Sequence, residues 1–306
     1  MNSTVRSIVD EIKKNIKGKD SVVLTVICAM LAGGHILLED IPGVGKTTLA
    51  MSISEAMSLG YRRVQFTPDV MPSDVTGFTM FNPQTQAFEF HEGAAMCNLL
   101  LADEINRTSP KTQSALLELM EEGKVTVDGV AHFLPKPFVV IATQNPFGSA
   151  GTQRLPESQM DRFMVRLSMG YPDHKSSIDI LKQDIIAEKI TTVITQEQFI
   201  HMQEAAQAIY VDDAILEMVV NLTEATRASE NIQLGLSPRG SKALLRMAKA
   251  HAYVNNRNFV STEDVIANLN CVMSHRIVLS SRAKAKSIDF EFAINKIMDE
   301  IYVPKI

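Results

Sequence analysis

Three short stretches combine residue types and spacings that suit chemistry on a phosphate. The first reads Ile41-Pro42-Gly43-Val44-Gly45-Lys46-Thr47-Thr48. Glycines at 43 and 45 let backbone N–H groups turn inward around an anion, and a helix opening at Lys46 adds the positive end of its dipole. Lys46 would then reach the β- and γ-phosphates of a nucleotide, and the Thr47 hydroxyl would ligate magnesium. The full phosphate-loop pattern has a glycine where this chain carries Asp40. The second stretch, Leu99-Leu-Leu-Ala-Asp103-Glu104, is an apolar run ending in two carboxylates. Asp103 would hold magnesium through its water shell, and Glu104 would orient or deprotonate an attacking water. In the third, Phe138–Ile141 runs into Ala142-Thr143-Gln144-Asn145-Pro146. A polar amide at the carboxyl end of a parallel strand lies where ligands bind, so Asn145 is expected to hold the catalytic water or sense the γ-phosphate. No Asn-Lys-x-Asp guanine signature is present, since Asn295-Lys296 is followed by Ile-Met; ATP with Mg2+ is the expected substrate pair.

These residues need strands and helices to present them. His35–Leu38, Val64–Phe66, Asn98–Leu101 and Phe138–Ile141 each read as a short buried strand with helical patterns between them. That alternation implies a parallel sheet covered on both faces. The phosphate loop follows the first strand and opens a helix carrying Leu49, Ile53 and Met57. Two hairpins interrupt the scheme. Val125–Val127 and Val130–Phe133 flank Asp128-Gly129, a pair suited to the positive φ values of a type I′ turn. Phe78–Phe81 and Phe88–Phe90 flank a longer loop, Asn82–Gln86.

Punctuation residues divide the chain. Of 15 glycines only Gly235 and Gly240, and of 12 prolines only Pro238 and Pro304, lie after residue 172. Residues 1–172 therefore read as a loop-rich α/β nucleotide-binding core, and 173–306 as an all-α lid. Helix starts in the second part are explicit: Thr195-x-x-Gln198 and Ser261-x-x-Asp264 form capping boxes, and Ser237-Pro238 is a cap with proline in the first turn.

Composition narrows the partners. In 306 residues, 30 Lys+Arg against 35 Asp+Glu give a net charge of −5, so no global basic field holds nucleic acid. The basic run Arg282-Ala-Lys284-Ala-Lys286 reads as a solvated helix face. Three cysteines without Cys-x-x-Cys spacing argue against a disulfide framework or structural zinc. The N-terminus lacks the apolar core of a signal peptide, and Val22–Ala32 is too short to span a bilayer. A cytoplasmic protein with no integral membrane segment is expected.

The phosphate loop (Walker A), the acidic strand end (Walker B) and the Asn-tipped strand, in this order, resemble the AAA+ ATPases, and the finer wording resembles their MoxR family. The residues that carry the likeness are Gly34–Thr47, Gln65-Phe-Thr-Pro-Asp-Val-Met-Pro-Ser-Asp74, Leu101-Ala-Asp-Glu-Ile-Asn-Arg107, Ala142–Pro146, Leu155-Pro-Glu-Ser-Gln-Met-Asp-Arg-Phe163 and Leu236-Ser-Pro-Arg239. Departures are Gly93-Ala-Ala-Met96, where Gly-Pro-hydrophobic-Phe is more usual, and Gln153-Arg154, where an aromatic-Pro is common. The resemblance implies a three-layer αβα P-loop core with β-hairpin inserts, followed by an all-α lid. Arg162 would be the arginine finger that reaches a neighbouring subunit's γ-phosphate, and Arg239 the sensor 2 residue. One subunit would supply Lys46, Thr47, Asp103, Glu104, Asn145 and Arg239, and its neighbour Arg162. The function implied is a hexameric, chaperone-like ATPase that remodels a protein client, in many family members together with a von Willebrand factor A domain protein.

Three other functions share these motifs. A nucleic-acid motor of MCM type would be stimulated by DNA, and a magnesium-chelatase-type subunit would show porphyrin-dependent turnover. A nucleotide-gated scaffold would bind ATP without turnover, against which the presence of Glu104 speaks.

Overall fold

The computed structural model describes residues 1–145, 155–182 and 188–304. Its strands are β1 (Ile36–Glu39), β2 (Tyr61–Gln65), β3 (Gly77–Asn82), β4 (Ala87–Glu92), β5 (Leu99–Asp103), β6 (Lys124–Val127), β7 (Val130–Phe133), β8 (Val139–Gln144) and β9 (Val165–Leu167). Five of them pair in parallel in the order β2-β5-β8-β1-β9. Side chains alternate between two apolar clusters. Leu99, Leu101, Val139 and Ile141 join one, and Leu100, Ala102, Val140 and Ala142 join the other. Both faces are thus buried along β1, β5 and β8, which is why those strands read as unbroken apolar runs. The edge strand β2, expected as buried Val64–Phe66, instead runs Tyr61–Gln65 and is half-exposed.

Helices α1 (Ser3–Ile12), α2 (Asp20–Leu31) and α3 (Lys46–Ala56) cover the first face; α4 (Pro72–Thr76) and α5 (Pro110–Glu122) cover the second, followed by the single turn α6 (Glu157–Met160). The hairpins β3–β4 and β6–β7 stand off the sheet as antiparallel pairs, joined by stacking of Phe90 on His132 at 3.7 Å. The expected turn is present, with Asp128 at φ 49° and Gly129 at φ 80°. Strand β9 was not anticipated. It is three residues with Arg166 in the middle, and it is a strand because β1 offers it a backbone partner.

Beyond residue 172 the chain forms α7 (His174–Lys182), α8 (Gln196–Gln207), α9 (Asp213–Ala228), α10 (Pro238–Val254), α11 (Thr262–Ile266), α12 (Leu269–Met273), α13 (Ser281–Ala285) and α14 (Phe290–Glu300). Both expected capping boxes are formed, and Ser237 Oγ accepts from Gly240 N–H at 3.0 Å. To the expected all-α lid must be added a short antiparallel pair, β10 (Ile232–Leu234) with β11 (Val278–Leu279). Two- and three-residue strands are too short to leave an alternating pattern in the sequence. The basic run falls on α13, where Ala283 is buried and Arg282 pairs with Glu230 at 2.7 Å. The lid core, including Phe199, Leu222, Leu244 and Met247, is continuous with the cluster under α1 and α2. Among the described residues, no helix is long and apolar enough to cross a membrane.

Candidate nucleotide site

The phosphate loop leaves β1 at its carboxyl end. Gly43 at φ 82° and Gly45 at φ 90° adopt left-handed backbone, and Gly45 is the N-cap of α3 with no side chain bonding the first N–H groups. A Cβ at Gly43 would meet nothing within 4 Å, so the hollow beside this part of the loop is open. These features fit a bound polyphosphate: uncapped donors at a helix N-terminus and a backbone without side chains on its inner curve. Lys46 folds over the loop, donating to Asp40 O at 2.9 Å and Ile41 O at 3.2 Å. Burial lowers its pKa, and Asp40, Asp103 and Glu104 oppose that shift. Ile16 and Met169 lie within reach of Gly45 and line the other side of the loop.

Asp40, the residue standing in place of glycine, is buried. Its carboxylate accepts the N–H groups of Met169 and Gly170, the latter at 3.1 Å, and the Ser168 hydroxyl at 3.2 Å. It therefore ties the start of the phosphate loop to the segment that leads from β9 to the lid.

Register brings the remaining polar groups to the same edge. Gln65 is paired with Asp103, and Leu38 with Thr143. Asp103 accepts from Thr143 Oγ1 at 2.6 Å and from Arg63 at 2.7 Å. Glu104 sits at φ 56°, and its N–H donates to Thr143 Oγ1 at 2.9 Å. Its carboxylate accepts from Gln65 at 2.9 Å and Arg107 at 2.6 Å. Asn145 follows β8 where Asp40 N–H donates to Gln144 O, so its backbone adjoins the loop. Pro146 and the Gln153-Arg154 departure lie outside the described residues. Arg63, Gln65 and Arg107 were not assigned from the sequence. Arg63 and Gln65 share one face of β2, a spacing too common to single them out.

The two other expected arginines lie elsewhere. Arg162 donates to Leu117 O at 2.7 Å and lies 3.2 Å from a carboxylate oxygen of Glu121. Arg239 donates to the other oxygen of the same carboxylate. Glu121 follows Met120, whose carbonyl meets His35 Nε2 at 2.9 Å. His35 directly precedes β1, and its carbonyl accepts Met164 N–H at 2.8 Å. Glu121, Arg162 and Arg239 therefore gather at the amino end of β1, whereas Lys46 follows its carboxyl end. The intervening strand spans roughly 13 Å at about 3.3 Å per residue. Arg239, expected beside Lys46 of the same chain, stands here with Arg162 on the Glu121 carboxylate. The lid is fixed to this edge by Ser237 Oγ donating to Asp161 at 2.9 Å and by Arg276, almost fully buried. Arg276 donates to the Asp161 carboxylate at 2.8 Å and to Met164 O at 3.1 Å.

Comparison with known proteins agrees with this architecture. The model of the ATPase family associated with various cellular activities (AAA) matches residues 35–165, and that of the AAA lid domain matches 224–297. Chaperone MoxR1 of Mycobacterium tuberculosis is 34% identical over 313 residues, covering 99% of this chain and 83% of that protein. The chain belongs to the MoxR family of AAA+ ATPases. This MoxR-family protein binds nucleotide and hydrolyses ATP. It is also 44% identical to the uncharacterised Bacillus subtilis protein YeaC over 299 residues, 97% of this chain and 93% of YeaC. Its fold matches the crystal structure of a candidate ATPase from Cytophaga hutchinsonii with a TM-score of 0.91 at 32% identity, covering 99% of this chain and 95% of that one. A full-length MCM homologue from Methanopyrus kandleri matches at TM-score 0.59 and 18% identity, covering 86% of this chain and 58% of that one; this likeness is one of fold alone.

Proposed function

We propose that this ATPase works as a ring of identical subunits, a hexamer by family resemblance, in which each nucleotide is held by one copy and its hydrolysis is completed by the next. The observation that carries this reading is the placement of the arginine pair at the opposite end of β1 from Lys46. Arg162 and Arg239 gather at the amino end of β1 and the phosphate loop leaves its carboxyl end, a placement that favours offering them to another copy's nucleotide. Such a head-to-tail contact closes into a ring when the rotation between copies allows it.

In this arrangement Pro42–Thr48 wrap the triphosphate and Lys46 turns from the loop carbonyls to the phosphates. Thr47 and Asp103 would hold Mg2+, which supplies charge neutralisation at the phosphate oxygens. Glu104, once released from Gln65 and Arg107, takes a proton from the attacking water, and Asn145 orients that water. Arg162 and Arg239 of the adjoining copy neutralise the charge that builds on the transferred phosphoryl group; fingers of this kind are worth about 10³–10⁵ in rate. Asp40 passes the state of the loop to the junction near residue 170, between a core of residues 1–172 and a lid of 173–306. The output is remodelling of a protein client in the cytoplasm, and the name of the chaperone relative supports that class. Exposed Phe78, Phe81, Phe88 and Phe133 on the hairpins suit contact with such a client.

The test is subunit complementation. Lys46→Ala and Arg162→Ala proteins are each inactive alone. Mixed in equal amounts, about one interface in four joins an intact loop to an intact arginine in a head-to-tail ring, and turnover returns. A mixture as inactive as its components refutes the shared site. DNA-stimulated turnover of the wild type would instead favour a nucleic-acid motor.

A further inference from the structure

Arg162 and Arg239 come from different parts of the chain, one before β9 and the other at the start of α10, yet they meet on one carboxylate. Glu121 lies in the last turn of α5. That turn is held independently by the His35 bond to Met120 O and by Gly123 N–H closing on Leu119 O. The Leu117 carbonyl, one turn earlier, takes a second bond from Arg162. A hollow of about 350 Å³ opens beside this cluster, lined by Glu118, Glu122 and Gln159 as well as Glu121 and Arg162.

Exposure decides what the cluster is for. The side chains of Arg162, Glu121 and Arg239 remain 32%, 46% and 43% exposed. Ion pairs so open to water are screened and add little to stability. Their effect is geometric. Two guanidinium groups that would repel each other are kept side by side, and two long side chains are restricted to one orientation each. Misplacing such groups by about 1 Å costs about 10²-fold in rate.

We propose that Glu121 is the positioning residue of the inter-subunit site, aligning Arg162 and Arg239 as a pair for the γ-phosphate held by the adjoining copy. The proposal rests on the shared-site reading above. Glu121 acts through the arginines, one carboxylate oxygen to each.

The experiment measures steady-state ATPase kinetics of Glu121→Gln, with urea midpoints to show that the variants fold. Turnover is expected to fall about 10²-fold with KM for ATP unchanged, because the residues that bind that ATP belong to another chain. Glu121→Asp, which keeps the charge, should retain more turnover than Glu121→Gln. A raised KM with unchanged kcat, or no loss at all, overturns the proposal. Mixing separates it from the reading beneath it. Glu121→Gln with Lys46→Ala should regain turnover, as should the control pair Arg162→Ala with Lys46→Ala. If only the control recovers, Glu121 acts within its own chain and the proposal fails while the shared site stands. If the control fails as well, both fall.

Discussion

Acidification probes the joint between α5 and the strand that feeds the phosphate loop. Val140 N–H donates to His35 Nδ1 at 3.0 Å, so that nitrogen carries no proton and Nε2 must donate to Met120 O. Protonating the ring would set two N–H groups against each other in a buried site. Burial pushes the His35 pKa down from 6.5 to about 4, with the Met120 bond opposing and Arg246 adding to the fall. The sign follows directly. The unfolded chain takes up the proton first, so the stability due to a neutral His35 is complete above pH 6.5 and is lost as pH falls towards about 4. At about 1.4 kcal/mol per pH unit, the whole window is worth about 3 kcal/mol. The assay is urea unfolding of wild type and His35→Gln at a series of pH values across that window. An amide can serve both partners without titrating in this range, so the variant's stability should be flatter with pH by about 3 kcal/mol. His275, buried and also held well below its ordinary value, titrates alike in both proteins and cancels in the difference. Parallel curves for the two proteins would refute the neutral, doubly bonded ring.

Glu104→Gln should still bind ATP, read as a nucleotide-dependent rise in Tm, while steady-state turnover falls about 10²-fold or more. Arg276→Met removes the buried partner of Asp161 and should cost about 3–5 kcal/mol by urea unfolding. Burial pushes the Asp264 pKa up, but bonds from His251, Arg257 and the Ser261 N–H outweigh it and hold the value at about 2. The stability it contributes is present above its ordinary 3.8 and lost as pH falls through about 2. Asp264→Asn should remove that acid-dependent loss and lower stability by about 3 kcal/mol near neutral pH, as read from pH-dependent urea midpoints.

Residues close together in the chain were largely legible. Ser237-Pro238, Thr195-x-x-Gln198 and Asp128-Gly129 each form the cap or turn that their types demand, because those bonds close within a few residues. Strands β1, β5 and β8 were recognisable because both of their faces are buried, and β9 was not, because pairing with β1 alone makes it extended. At the site, Asp103 and Glu104 stand out as carboxylates ending an apolar run. Arg63 and Gln65, which hold them, come from a neighbouring strand and announce nothing. Asp40 could be noticed only as a missing glycine. Its bonds to the Met169 and Gly170 N–H groups exist because the chain returns to that point more than a hundred residues later.

The sequence by itself determined the phosphate loop, since glycine freedom, the helix start at Lys46 and the adjoining apolar strand are encoded within a dozen contiguous residues. Tertiary structure alone decided where Arg239 stands. Its helix start is specified locally by Ser237 and Pro238, but which end of the sheet that start meets depends on Arg276, Asp161 and Glu121 packing together from three distant segments. That long-range packing puts Arg239 beside Arg162 and away from its own Lys46.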